Sequence, residues 1–247
     1  MKIFAKIRFF WGALVISLII AVLMIPLITI FPGKKGSIMH YLNSTIIFLM
    51  GGRVTQAGDA DPDADMIVMN HQGIVDIIGM EALQTGHLRW VAKKELFNMP
   101  WFGHLLKNGD MISIDRENKA GLIKLIKDVK ESIEIKHRAV ALFPEGYLSR
   151  NGHLGVFQRG FELATKEVEN TVIVPFYLRG LWEDNFSYAS QKMKRKKSKE
   201  ISVSFGEAMD AHSAASAVKK AVFDLSVQNW QHYADTLPVL QKAWMKS

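Results

Sequence analysis

From Phe9 to Gly33 the chain carries no charged residue. The stretch FFWGALVISLIIAVLMIPLITIFPG is long enough for a helix of about 20 residues to cross a bilayer core. Lys2, Lys6 and Arg8 precede it, and Lys34 and Lys35 follow it. A second uncharged stretch runs from Gly36 to Gly52. Its apolar body, Ile38 to Met50, contains His40, Asn43 and Ser44 and is short for a spanning helix. A cleaved signal peptide fits poorly, because its apolar middle is only about 7–15 residues long. A single spanning anchor and a helical hairpin dipped into one leaflet both fit, since basic residues flank both ends. Either keeps the rest of the chain near a membrane.

After Arg53 the texture changes. Gly58 to Asp65 (GDADPDAD) is acidic and turn-prone. It sets a boundary between N-terminal membrane helices, residues 1–57, and a globular domain, residues 58–247. Short apolar runs then alternate with helical patterns. The predicted strands are Met66–Met69, Leu88–Ala92, Met111–Ile114, Ala139–Phe143, Thr171–Leu178 and Ile201–Phe205. Most are apolar at consecutive positions, as in strands covered on both faces. The clearest helix is predicted over Lys119–Lys136, with Leu122, Ile126, Val129 and Ile133 on one stripe. Others are predicted over Ile77–Gln84, Phe157–Glu167 and Ala214–Tyr233. This alternation predicts an α/β fold with a mixed, largely parallel sheet flanked by helices.

Composition narrows the chemistry. None of the 247 residues is cysteine, which excludes a disulfide scaffold, a thiolate metal site and a cysteine nucleophile. The net charge of +7 favours anionic partners: nucleic acid, acidic headgroups or phosphorylated substrates. The densest basic run is Lys192, Lys194, Arg195, Lys196, Lys197 and Lys199. No nucleic-acid motif accompanies it. Beside a membrane segment, attraction to anionic headgroups is the better functional reading, and a solvated loop has the same pattern.

Candidate reactive groups stand at predicted strand ends. Met66–Met69 runs into Asn70-His71, and Asp76 follows five positions after the histidine. Imidazole titrates near neutrality and can take a proton from an attacking hydroxyl. A carboxylate on its other nitrogen fixes the tautomer. On a straight helix, positions five apart are rotated by about 140° and separated by about 7.5 Å. The pair therefore needs His71 on a loop or first turn and Asp76 inside the following helix. A surface histidine near a helix whose cap is Asp76 has the same sequence. The strand Ala139–Phe143 ends in Phe143-Pro144-Glu145-Gly146, which presents Glu145 at a turn. An exposed turn glutamate is the plain alternative. Lys93, Lys94 and Arg116 also follow strands and suit a phosphate, or they are solvated charge or an Asp115–Arg116 pair.

Taken in order, these blocks resemble the glycerophospholipid acyltransferase superfamily, and within it the 1-acyl-sn-glycerol-3-phosphate acyltransferases. The blocks are NHQGIVD (Asn70 to Asp76), VAKKELFNMPWFG with Lys93, Pro100 and Gly103, GDMISIDR (Gly109 to Arg116), FPEG (Phe143 to Gly146) and VIVPFYLRG with Pro175. They cover about residues 66–206. One departure is Leu148, where many members carry an arginine that would hold phosphate; Arg150 stands nearby. Arg159 stands where a lysine is frequent.

The resemblance implies a glycerolphosphate acyltransferase-like fold with a membrane-embedded N-terminus. It makes residues 58–247 an acyltransferase domain that moves an acyl group from acyl-CoA or acyl carrier protein to a lysophospholipid hydroxyl. The expected acceptor is 1-acyl-sn-glycerol-3-phosphate, giving phosphatidic acid. His71 and Asp76 are the expected catalytic pair. Glu145, Gly146, Arg116 and Lys93 are the expected acceptor-site residues, and Asn70, Phe143 and Pro144 support them. Backbone amides near Gly146 or in the histidine loop are the expected oxyanion donors. No metal, resident cofactor or nucleic acid is implied, and the partners are the two substrates and membrane lipid. The site is expected at the cytoplasmic face. Another lysophospholipid or glycerol 3-phosphate is an alternative acceptor. A catalytically silent lipid-binding adaptor is the alternative of another class.

Overall fold

The structure, a computed structural model, describes residues 2–58, 61–148, 154–158, 160–166, 168, 172–179 and 200–232. The chain opens with one long helical rod. Helix α1 (Lys2–Leu18) passes through a π-helical turn (Ile19–Met24) into α2 (Ile25–Ile30). The wide turn directly precedes Pro26, whose ring cannot sit against a normal preceding turn. Within the rod, Phe10–Ile30 is long and apolar enough to cross a membrane. After Pro32–Lys34 the chain enters α3 (Lys35–Leu49).

The rod is two-faced. Val15, Ile16, Ile19, Ile20, Met24 and Ile28 are buried against the rest of the protein. Phe10, Leu14, Leu18 and Val22 recur at spacings of four and are more than half exposed. Helix α3 buries Met39, Asn43, Ile46 and Ile47. Its start lies so close to the main domain that a Cβ on Gly36 would stand 2.8 Å from the His87 amide nitrogen. The second uncharged stretch is thus half committed to the protein core.

The remaining elements, in order, are β1 (Arg53–Ala57), β2 (Met66–Met69), α4 (Ile74–Leu83), β3 (Arg89–Lys93), α5 (Phe102–Asn108), β4 (Ile112–Ile114), α6 (Lys119–Lys130), β5 (Val140–Leu142), α7 (Gly160–Ala164), β6 (Val172–Arg179), β7 (Glu200–Phe205), β8 (Met209–Asp210) and α8 (Ala215–His232). The strands form one mixed sheet in the order β1-β7-β6-β2-β5-β3-β4, with β8 beside β6. The run β6-β2-β5-β3-β4 is parallel throughout. The pairs β6–β7 and β6–β8 are antiparallel, and β1 runs parallel to β7. This is the α/β architecture with flanking helices that the alternation predicts.

Side-chain alternation explains the two-sided burial. Ile67 and Met69 join the apolar cluster under α3, α4 and the N-terminal rod, while Met66 and Val68 join the cluster under α6, α7 and α8. Pro175 falls in a central strand, normally hostile to proline. Its place is where β6 changes partner. Residues 172–173 pair with β8 and residues 176–179 with β7, so residue 175 lies between the two ladders.

Three expectations shift. The sheet takes an additional strand from Arg53–Ala57, ahead of the acidic turn and within the residues assigned to the membrane helices. Its half-exposed, polar-rich sequence carries no buried-strand signal. In α6 the most buried positions are Leu125 and Val129, with Ser132 and Ile133 in the π-helical turn that follows; Leu122 and Ile126 flank them half-buried. Helix α4 begins at Ile74, one turn earlier than the apolar pattern placed it.

Candidate active site

In a parallel sheet the carboxyl ends of neighbouring strands converge on one edge, the usual place for a site. Here β2, β5, β3 and β4 lie side by side in the same direction. Asn70-His71 follows β2, Phe143 to Gly146 follows β5, Lys93 ends β3 and Arg116 follows β4. Four sequence blocks spread from Asn70 to Gly146 therefore share one rim.

The histidine and the aspartate meet. His71 Nδ1 lies 2.8 Å from Asp76 Oδ2. The five-residue spacing works because His71 precedes the helix and Asp76 is its third residue. Asp76 Oδ2 also accepts from the Gln72 amide at 2.5 Å and the Gly73 amide at 3.0 Å. An acidic side chain at this helical position satisfies amides that the first turn leaves orphaned. Asp76 is fully buried, and the His71 side chain is 18% exposed. His71 Nε2 has no hydrogen-bond partner among the described residues. The ring also lies flat on Phe143, with centroids 3.7 Å apart and planes 11° apart.

Glu145 points inward and is fully buried. Its Oε1 accepts from the His71 amide at 2.9 Å, and its Oε2 accepts from the Gly155 amide at 2.7 Å. Burial pushes its carboxyl above the ordinary range, and the two amide donors oppose that shift. It clamps the histidine loop to the segment at Gly155. The preceding Pro144 is buried, and its carbonyl accepts from the Gln158 amide at 2.7 Å. Asn70 is also buried.

Gly146 adopts φ +76°, a backbone that a side chain rarely tolerates, and a Cβ there would strike the Arg116 guanidinium. Arg116 Nη1 donates to the Gly146 carbonyl at 2.8 Å, and its head is exposed. Asp115 pairs with Lys94 at 2.5 Å and with Asn118, so it makes no structural pair with Arg116. The Lys94 ammonium holds the Asp115 carboxyl below its usual range. Lys93 is exposed, with Nζ 3.6 Å from Glu95 Oε2.

The backbone amides expected to hold an oxyanion are engaged elsewhere. Gly146 donates to the Phe143 carbonyl, His71 to Glu145, and Gln72 and Gly73 to Asp76. Arg150, Arg159 and the basic run 192–199 lie outside the described residues. Leu148 is described and exposed. Among the described residues no cluster of three or more His, Asp or Glu side chains is placed to hold a metal.

A cavity of about 390 Å³ opens under the same corner. Val91, Ile114, Leu122, Leu125, Leu142, Phe161 and Leu163 line its body, with Arg116, Phe143, Glu145 and Gly146 at one end. Sequence reasoning did not find it, because its wall comes from α6 and α7 meeting three strands. The pattern also gave no hint of the stacking on His71. A phenylalanine that ends one strand beside a histidine that ends the next is the signal that was available.

Comparison with known proteins identifies the family. The family described as Acyltransferase matches residues 61–179. The chain is 33% identical over 166 residues to a 1-acyl-sn-glycerol-3-phosphate acyltransferase of Helicobacter pylori, covering 66% of this chain and 69% of that protein. It is 31% identical over 172 residues to the 1-acyl-sn-glycerol-3-phosphate acyltransferase alpha of Ovis aries, covering 67% of this chain and 58% of that one. In fold it is similar to the crystal structure of the 1-acyl-sn-glycerophosphate (LPA) acyltransferase PlsC from Thermotoga maritima, with a TM-score of 0.70 at 14% identity. That match covers 93% of this chain and 98% of the other. On this similarity the chain belongs to the glycerophospholipid acyltransferase superfamily and is an O-acyltransferase.

Proposed function

We propose that this protein transfers a fatty acyl group from a thioester donor to the free hydroxyl of 1-acyl-sn-glycerol-3-phosphate, giving phosphatidic acid. The observation that carries the reading is the His71–Asp76 pair at the sheet's carboxyl edge, in contact with Phe143 and Glu145, which line an apolar cavity. The names of the relatives supply the acceptor.

His71 Nε2 removes the hydroxyl proton as the oxygen attacks the thioester carbonyl carbon. Asp76 keeps the other ring proton on Nδ1 and stabilises the imidazolium that forms. Such general-base assistance is worth about 10²–10⁴-fold. The tetrahedral intermediate then expels the thiolate, which takes the proton back from His71. The oxyanion is held by donors other than the amides of residues 71, 72, 73 and 146. Arg116, and Lys93 beside it on the rim, attract the acceptor's phosphate. Glu145 and Gly146 shape that end by fixing the loops, and Asn70, Phe143 and Pro144 hold them. The apolar cavity lies within the usual range for ligand sites, about 300–1,000 Å³, and suits a hydrocarbon chain.

The uncovered apolar face of the N-terminal rod puts the domain at a bilayer, where acceptor and product reside. The cytoplasmic face gives the site access to a water-soluble thioester, either acyl-CoA or acyl carrier protein. Leu148, in place of the family arginine, favours a second reading in which another lysophospholipid or glycerol 3-phosphate is the acceptor. The test is purified protein in mixed micelles with labelled acyl-CoA or acyl carrier protein and a panel of these acceptors, products identified by mass. Fastest turnover of 1-acyl-sn-glycerol-3-phosphate supports the first reading. Preference for a different acceptor supports the second, and no acyl transfer to any acceptor overturns both.

A further inference from the structure

Behind Phe143 stands a buried group that the proposed reaction does not use. Glu81 is fully buried on α4, and its Oε1 accepts the Trp90 indole N–H at 2.6 Å. Its Oε2 has no hydrogen-bond partner among the described residues. Burial lifts this carboxyl to about 8, against a smaller opposing effect of the indole. At neutral pH it is therefore an uncharged acceptor.

Trp90 is 3% exposed and lies against Phe143, with ring centroids 5.3 Å apart and planes 25° apart. Strand register explains the meeting. Trp90 pairs with Ala141 across β3–β5, and Phe143 is two residues further on the same face. Phe143 then lies flat on His71. The chain of contacts is Glu81, Trp90, Phe143, His71.

A hydrogen bond at one ring atom fixes where the imidazole is anchored but leaves its plane free to tilt about that anchor. A flat aromatic face at 3.7 Å removes the tilt. A base must hold its aim within about 10–20° to work well. Helix α4 carries both restraints: Asp76 in its first turn grips Nδ1, and Glu81 five residues later locks the stack. We propose that Trp90, anchored by Glu81, is a positioning residue that sets the plane of the His71 imidazole through Phe143. This rests on the reading of His71 as the base.

The test is steady-state kinetics with acyl-CoA and the best acceptor, with folding checked by melting temperature. Trp90→Leu should lower kcat by about tenfold while both KM values stay within twofold, since only aim is lost. Phe143→Leu should do the same. The double variant should be no slower than Phe143→Leu alone, because Trp90 acts only through that ring; independent structural damage would multiply. Glu81→Leu should lower kcat more than Glu81→Gln, which keeps an acceptor for the indole. If Trp90→Leu does not fold, Trp90→Phe keeps an aromatic ring there, without the N–H donor, and carries the same cycle with a smaller loss. A kcat within twofold for the Trp90 variants, or losses that multiply with Phe143→Leu, overturns the proposal. His71→Ala, assayed alongside, separates the failures. If that variant is active the base reading itself falls. If it is inactive while the Trp90 variants are normal, only the positioning role falls.

Discussion

Replacing Asp76 by asparagine isolates the charge behind the histidine. Three donors converge on Asp76 Oδ2: the His71 ring nitrogen and the Gln72 and Gly73 amides. In Asp76→Asn the side-chain oxygen must occupy that place, since the amide NH₂ would face two N–H groups. The ring proton therefore stays on Nδ1 and Nε2 remains a base. What disappears is the negative charge beside the developing imidazolium. With charge centres about 4 Å apart and an effective dielectric of about 20, that attraction is about 4 kcal/mol, or about a thousandfold in rate. The assay is thiol release from acyl-CoA in mixed micelles at saturating acceptor. The expected result is a kcat lower by about 10³ with both KM values unchanged and a melting temperature close to the parent's. A kcat within tenfold of the parent would show that the carboxylate is a helix cap and little else.

Other consequences can be measured with the same preparation. Arg116→Ala should raise KM for a phosphorylated acceptor with little change in kcat, and an unchanged KM assigns Arg116 to holding the Gly146 carbonyl only. Leu122→Trp, which fills the cavity from a half-buried wall position, should shift preference to shorter acyl chains; competition between donors of different length reads it, and an unaltered profile removes the chain from that cavity. Glu81→Gln should alter the pH dependence of stability. The folded state keeps the Glu81 proton up to about 8, whereas the unfolded chain loses it near 4.5. Stability of the parent therefore falls by roughly 1.4 kcal/mol per pH unit as pH rises through that window. The melting-temperature advantage of Glu81→Gln should grow from pH 5.5 to 7.5, and a constant difference would show that Glu81 is ionised when folded.

The legible parts of the sequence were those where local pattern and long-range role coincide. Met66–Met69 and Val140–Leu142 are buried on both faces, so unbroken apolar runs mark them. Arg53–Ala57 is an edge strand beside β7 with one half-exposed face, and its residues look like the linker they precede. The His71–Asp76 pairing could be posed as a geometric condition, because helix rotation forbids it in one arrangement and allows it in another. Glu145 shows the opposite case. Its place after a strand suggested a group turned toward substrate, yet two backbone amides from distant loops hold it inside, and no spacing reveals them. Glu81 carried a faint mark, an acid three positions after the buried Ile78 on a helix whose other charged residue is Asp76. Its meaning depends on Trp90, which another element supplies.

His71→Ala tests the acyl-transfer reading most directly. Purified variant and parent, matched for melting temperature, are incubated with acyl-CoA and 1-acyl-sn-glycerol-3-phosphate, and diacylated product is counted by mass. If the imidazole is the base, the variant forms product at least about 10²-fold more slowly than the parent. Product formation within tenfold of the parent's rate contradicts it.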